Sequence, residues 1–390
     1  MKKLPKLRFK PSDGGEYPDW EEKTLGRCFD FISGSTPRKE NKDYFKGEIL
    51  WVTSGELKKK YISDTVDKIS VEAKNDTNLK IYPKGTFLIA IYGLEATGTR
   101  GSCSILEQNA TISQACMVWL PKGLISMEFT YYWYLKYGEY IGLTYAQGTK
   151  QQNLSNDILN TIKFFLPSLS EQEKIAEFLS AVDEKIEVRT QKVEKLKTYK
   201  KAVMQKLFSQ ELRFKAEDGS DYPEWEEKTL GEVLLCESSN ISDNQITEDF
   251  GVYPIYGATG LIKKISFYSK ENDYISIVKD GAGVGRLLYC NGKSSILSTL
   301  QYLFSKNEVL LKYIYYALLT IDLTKFKVGS TIPHIYFKDY SASLISIPCL
   351  AEQQKIADFL SAIDEKIEVN EKMLERVKEW KKGLLQQMFV

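Results

Sequence analysis

Residues 167–188 read PSLSEQEKIAEFLSAVDEKIEV and residues 348–369 read PCLAEQQKIADFLSAIDEKIEV, identical at 17 of 22 positions. From here apolar residues recur at alternating steps of four and three: Ile175, Leu179, Val182, Ile186, then Val193, Leu196, Val203 and Leu207. The second copy keeps the same phase with Ile356, Leu360, Ile363, Ile367, Leu374, Val377, Leu384 and Met388. A step averaging 3.5 residues is the heptad seam of a helix that packs along another helix. Only Arg189 and Lys200, with their counterparts Asn370 and Lys381, interrupt it. Two long helices with matched narrow stripes are therefore expected to pair. Copies related by a two-fold axis must run antiparallel, and Arg189 and Asn370, near the middle of the seam, are placed to fix its register. Ser170 and Glu173 have the spacing of a capping box, whereas Ala351 in place of Ser170 predicts a weaker start for the second helix.

A second repeat lies upstream of each helix. Residues 7–26 (LRFKPSDGGEYPDWEEKTLG) return as residues 212–231 (LRFKAEDGSDYPEWEEKTLG), agreeing at 15 of 20 positions. The offset is 205 residues for this arm and 181 for the helix, so each repeat is domain-sized and the second intervening region is the shorter. Between arm and helix the two halves scarcely match. A scaffold copied closely around differing contents suggests two modules of one architecture that recognise different things. The expected fold is α+β, with two globular domains joined by two long antiparallel coiled-coil-like helices in a pseudo-two-fold internal repeat. The expected boundaries are 1–167 for the first domain, 168–209 for its helix, 210–348 for the second domain and 349–390 for the second helix. A helix of roughly 38 residues spans about 57 Å, more than the roughly 34 Å of one DNA turn.

The variable regions alternate β-rich runs with turns. Strands are expected near residues 47–54, 86–92 and 116–120, and again near 253–260, 274–278 and 302–304, with helices around 129–140 and 309–321. Several stretches imitate catalytic motifs and fail on their residues. Residues 93–100 (GLEATGTR) have the glycine spacing of a phosphate loop but lack its Lys-Ser/Thr, and read as a hairpin loop. Residues 280–286 (DGAGVGR) follow a strand but lack the dinucleotide spacing and a following helix. Residues 19–23 (DWEEK) hold the Asp and Glu-x-Lys of a nuclease metal site, repeated at 224–228 (EWEEK), but both carboxylates fall in one short segment and read as structural. A single histidine, His334, argues against histidine triads and multi-histidine metal sites. No two prolines adjoin, so the loop with which adenine methyltransferases hold a flipped base is missing. No metal site is expected.

Composition adds bounds. The 390 residues, 43% hydrophobic and 27% charged, fit two soluble domains. The longest apolar run, residues 87–94, is far short of the roughly 18 needed for a membrane span. The basic start MKKLPKLRFK lacks the apolar core of a secretory signal, so a cytoplasmic location is expected. Cys28, Cys103, Cys116, Cys236, Cys290 and Cys349 have no paired spacing and read as reduced, buried thiols. The net charge of +1 gives no whole-molecule pull on nucleic acid. A phosphate-facing surface must come from local segregation, as at Lys58, Lys59 and Lys60 or at Lys263 and Lys264.

The order arm, variable region, helix, twice over, resembles the DNA-specificity subunit of Type I restriction-modification systems. The local text that carries the likeness is residues 20–26 (WEEKTLG), Gly34-Ser-Thr-Pro37 leading to 47–51 (GEILW), a Gly-Ser/Thr loop before each helix, and the Pro-x-Leu-x-Glu-Gln-x-Lys-Ile-Ala starts at Pro167 and Pro348. The resemblance implies a non-catalytic reader of a bipartite, asymmetric double-stranded DNA site. It implies no cofactor on this chain. It implies two partner methyltransferase subunits that bind S-adenosylmethionine and methylate adenine, and restriction subunits, where present, that use ATP and Mg. Under this likeness DNA contacts are expected from Ser35, Thr36, Arg38, Ser54, Lys58, Arg100, Thr149, Lys150 and Gln151 in the first region. In the second they are expected from Tyr256, Thr259, Lys279, Arg286, Ser330, Thr331 and His334. Methyltransferase docking is expected on Glu173, Glu177, Glu184, Gln354, Asp358 and Glu365. The near-neutral charge also allows a different reading, a coiled-coil scaffold whose two globular domains bind proteins.

Overall fold

A computed structural model of the chain describes residues 4–96, 98–148, 152–306 and 308–390. It forms two compact units, Met1–Arg189 with Met373–Val390, and Thr190–Lys372. The division differs from the repeat boundary near residue 210, because each long helix contributes one half to each unit.

In the first unit a five-stranded sheet runs in the order Phe29–Ser33, Cys116–Pro121, Phe87–Ala90, Cys103–Leu106, Tyr61–Ile62. All pairs are antiparallel except the last. Its centre is Trp119, fully buried and ringed edge-on by Phe31, Phe87 and Tyr134. Tyr134 comes from helix α1 (Met127–Tyr145), whose N-terminal turn is capped by the Ser126 hydroxyl accepting from Phe129 N. A smaller sheet joins Ile49–Val52 to Lys68–Ile69 and Thr111–Ile112.

The second unit has the same plan with one strand fewer: Leu234–Ser238, Leu300–Ser305, Tyr274–Val278, Leu287–Cys290. Its small sheet is the hairpin Tyr253–Gly257 and Gly260–Ile265 with Ser295–Ile296 alongside. The expected strands and helices are thus found in both regions. The second helix is shorter than its counterpart, Leu311–Leu318, here α3. The two glycine loops that imitate phosphate and dinucleotide motifs occupy equivalent places in the two units. Each is the hairpin connection between antiparallel strands, Phe87–Ala90 to Cys103–Leu106 and Tyr274–Val278 to Leu287–Cys290.

The repeated text is repeated because arm and helix are each other's packing partners. The long helices are α2, Leu169–Phe208, and α4, Leu350–Met388. Arg8 makes a two-pronged bond to the fully buried Glu171 at the start of α2, at 2.8 and 2.9 Å. Arg213 does the same to the buried Glu352 of α4, at 3.2 and 2.9 Å. Phe9 packs on Phe178 at 5.3 Å, and Phe214 on Phe359 at 5.6 Å. The arm then becomes a strand: Glu21–Thr24 pairs with Lys163–Leu166, and Glu226–Thr229 with Leu344–Ile347. Glu21 pairs with Lys23 and Glu22 with Lys163, as strand-surface ion pairs.

The helix starts correct the capping expectation. Helix α2 begins at Leu169, so Ser170 lies inside the first turn and cannot cap it. The buried Gln172 does a different job, donating to Pro167 O at 2.9 Å and accepting from Ser126 N at 2.9 Å. Gln353 repeats both bonds with Pro348 O and Leu310 N. Substituting Ala351 for Ser170 therefore costs the second start nothing of this arrangement.

The seam is buried in both units. In the first, α2 and α4 run antiparallel, with Phe178 against Trp380, Asp183 bonded to Lys381 at 2.5 Å, and Arg189 donating to Met373 Sδ. Ile175, Leu179 and Val182 face this core with Leu384 and Met388, bordered by Ile186 and Val377. In the second, Lys200 donates to both Asp364 oxygens at 2.6 and 2.8 Å, and Lys197 pairs with Glu371. Ile356, Leu360, Ile363 and Ile367 face Val203 and Leu207, with Leu196 at the border. Val193 and Leu374 are buried too. Lys200 and Lys381, which interrupt the apolar pattern, are ion-paired across the helix contact. Asn370 is buried and donates to Lys366 O on its own helix.

Each unit anchors its domain helix to its long helix through one network. Tyr132 donates to Asp183 at 2.7 Å, and Tyr316 donates to Asp364 at 2.8 Å. The first unit adds Lys60, which donates to Ser180 Oγ at 2.7 Å and Tyr132 Oη at 3.2 Å. Lys60 is therefore not part of a phosphate-facing triplet: burial lowers its pKa. Only Lys58 and Lys59 of that run are exposed.

All six cysteines are free thiols. Cys28, Cys103, Cys116 and Cys290 are buried, whereas Cys236 and Cys349 are half-buried, less enclosed than the sequence suggests. Among the described residues no helix is long and apolar enough to cross a membrane, and no group of three or more His, Cys, Asp or Glu could hold a metal ion.

Candidate nucleic-acid interface

The variable loops gather at the ends of the central strands. In the second unit three of them are tied together. Asp280, just past the strand Tyr274–Val278, forms a backbone bridge with His334. Gly281 N donates to Pro333 O at 2.9 Å and Ile335 N to Lys279 O at 2.9 Å, fixing the loop 328–335 against the hairpin loop 279–286. On the other side, Arg286 donates to Ala258 O at 2.6 Å, joining the tip of the hairpin 253–265. Gly281 and Gly285 have φ of +89° and +86°, so the hairpin loop turns through conformations that favour glycine.

This junction collects Lys279, Arg286 and His334 and, on the hairpin beside Arg286, Tyr256 and Thr259. Ser330 and Thr331 are exposed on the loop that leads into His334. Arg286 and Thr259 are exposed, and Tyr256, Lys279 and His334 half-buried. Three participants escaped the sequence reading. Asp280 accepts from His334 Nδ1 at 2.6 Å and pairs with Lys279 at 3.0 Å. Tyr336 stacks on the His334 ring, and the Lys338 ammonium lies over Tyr336. Burial opposes the Asp280 charge, but the bonds from His334 and Lys279 outweigh it and hold the carboxyl below its ordinary pKa. A lone carboxylate in a candidate DNA surface gives no signal in sequence; its neighbour Lys279 and the chain's single histidine were the available clues.

The first unit builds the equivalent junction from different residues. Tyr92 and Gln147 both bridge to Asn153, the positions of Asp280, Val328 and His334 in the other unit. Leu154 N donates to Ile91 O at 3.0 Å, and Ile91 N to Ala115 O at 2.9 Å. The 34–37 loop joins through Ser35 N to Ile112 O and through Trp51 Nε1 to Ser35 O. Gly34 is required there, since a Cβ would lie 2.0 Å from Ile112 O. Ser35, Thr36 and Ser54 are half-buried around this junction, and Arg38 and Lys58 are exposed outside it. Arg100 is drawn back onto α1, its aliphatic chain against Gly142 and its Nε buried. Thr149, Lys150 and Gln151 lie outside the described residues.

Of the basic pairs, Lys263 is committed to Thr247 O and the Phe250 ring, while Lys264 is exposed. Glu173, Glu177 and Glu184, with Gln354, Asp358 and Glu365, are all exposed on the long helices. Each junction offers hydroxyls and an amide or imidazole on a hydrogen-bonded backbone frame, with cations in the second junction and beside the first. Such groups suit hydrogen bonding to base edges and phosphates and supply no paired nucleophile and base.

The family model for the Type I restriction modification DNA specificity domain matches residues 17–198 and again 222–379. The chain belongs to this specificity family. Among relatives of the family, the Type I restriction enzyme MjaIX specificity subunit of Methanocaldococcus jannaschii is 27% identical, covering 97% of this chain and 94% of that protein. A putative type I specificity subunit of Mycoplasma genitalium is 25% identical over 95% of this chain and 94% of its own. The crystal structure of a Type I restriction-modification S subunit from M. genitalium superposes with a TM-score of 0.67 at 20% identity, covering 100% of this chain and 99% of that one. The specificity fold, two α+β domains with paired long helices, is thus common to both. Membership makes the chain a specificity component, concerned with DNA sequence recognition, and not a catalytic one.

Proposed function

We propose that this chain reads a bipartite, asymmetric DNA site and directs associated adenine methyltransferase subunits, and restriction subunits where they occur, to it. The observation that carries the reading is the contrast within the repeat. The arm-to-helix bond, the helix start and the tyrosine-to-aspartate anchor recur in both halves at Arg8/Arg213, Gln172/Gln353 and Tyr132/Tyr316, whereas the loop junctions are built from different residues. Two readers with different contents specify two different half-sites. The long helices, 40 and 39 residues, set the unspecified spacer, and their exposed acidic faces dock two methyltransferase subunits. S-adenosylmethionine belongs to those partners, ATP and Mg to restriction subunits, and the assembly works in the cytoplasm. DNA contacts come from the residues named above, including Thr149, Lys150 and Gln151.

Adenine methylation should be mapped by single-molecule sequencing in cells expressing the cognate methyltransferase with and without this chain. A split, asymmetric motif that depends on the chain is expected. An assembled complex that adds no motif would favour the protein-binding scaffold instead.

A further inference from the structure

The contact between Asp280 and His334 fixes more than position. A carboxylate only accepts hydrogen bonds, so at 2.6 Å the proton between them sits on His334 Nδ1. Backbone bonds on both sides of the pair, Asp280 with His334 and Ile335 N with Lys279 O, hold the two residues in register. Lys279 occupies the second Asp280 oxygen at 3.0 Å and favours its charged form. A neutral imidazole in water otherwise prefers its proton on Nε2. Here that nitrogen is left bare, on a side chain 38% exposed, and no described residue bonds to it.

We propose that Asp280 is a positioning residue that presents His334 Nε2 to DNA as a hydrogen-bond acceptor, so that the base read there carries an exocyclic amine. In the major groove only adenine N6 and cytosine N4 offer such a donor, while guanine and thymine offer acceptors at the corresponding edges. The inference rests on the second region reading DNA. It confines the effect to one half-site, because the equivalent positions of the first unit are Tyr92 and Asn153.

The chain has one histidine, so the full-length protein labelled with ¹⁵N-histidine gives a single pair of ring signals. On the neutral ring, Nδ1 is expected to be pyrrole-like and Nε2 pyridine-like, and Asp280→Ala is expected to invert them; a protonated Nε2 in the unsubstituted protein overturns the proposal. A second experiment uses the complex with methyltransferase subunits. Each adenine of the second half-site is replaced in turn by purine lacking the 6-amino group, and each cytosine by 2-pyrimidinone. At one position wild type should lose about tenfold in affinity beyond what His334→Ala loses from the same replacement. Sequence-selective binding with no such coupling overturns the inference and leaves the DNA-reading function standing. A complex that selects no sequence overturns both.

Discussion

Arg8 and Arg213 face the same task with unequal help. Glu352 also accepts from Trp225 Nε1 at 3.0 Å, whereas the equivalent Trp20 Nε1 has no hydrogen-bond partner among the described residues and Glu171 is held by Arg8. Removing one member of a buried ion pair strands the other and costs about 3–5 kcal/mol. Arg8→Met should fall toward the upper end of that range and Arg213→Met toward the lower. Adding Glu171→Met to the first should restore most of the loss, as urea denaturation of the full chain would register; equal losses from the two arginines would show that the tryptophan bond contributes little. Legibility at this scale was uneven. Both arginines stand in the repeated arm, but nothing there singles them out or points to their partners, since Glu171 lies 163 positions away from Arg8. His334, Lys279 and Arg286 were readable as polar loop residues, but Asp280 was not, because its role exists only through the fold.

The long helices were legible because a period of 3.5 persists over more than four heptads, and strand positions because β-branched runs end at glycine turns. The helix starts were not. A local Ser-x-x-Glu spacing looked like a cap, while the bonds that order the start come from Gln172 and Gln353 to residues of another element. Lys60 escaped for a similar reason: in a run of three lysines only the one entering the strand Tyr61–Ile62 turns inward. That asymmetry has an energetic consequence. Tyr132 holds both Asp183 and the inward Lys60, whereas Tyr316 has no such lysine among its bonds. A hydrogen bond to a charged group contributes about 1.5–3 kcal/mol. Tyr132→Phe should therefore destabilise by roughly 2–3 kcal/mol and Tyr316→Phe by roughly 1–2 kcal/mol, with thermal unfolding as the measurement; the reverse order would remove Lys60 from the account. The seam itself is tested by Ile186→Asp with Ile367→Asp. Each places an unpaired carboxylate against an apolar core, a cost of several kcal/mol, and methylation should be lost at every site. Retained methylation would mean that helix pairing is not what the complex needs.

On the scale of the whole molecule, duplication explains why domain architecture could be read so directly while compact units could not. Sequence similarity follows the arm-to-helix order, but antiparallel pairing gives Met373–Val390 to the unit of the first domain and Thr190–Phe208 to that of the second. A chain built this way separates two kinds of change. If the chain reads two half-sites as proposed, substitutions along the long helices should act on both, since each helix contributes to both units. Substitutions at an exposed loop position should act on one. Thr331, exposed and three residues from His334, belongs to the second kind. Thr331→Ala should relax or shift preference at a single half-site, with a discrimination change of about 1–3 kcal/mol at the affected base pair, and leave the spacer and the other half-site as they were. Methylation sequencing reads all three quantities from one sample. Equal weakening of both half-sites would place Thr331 in the framework, and the independence of the two readers would have to be given up.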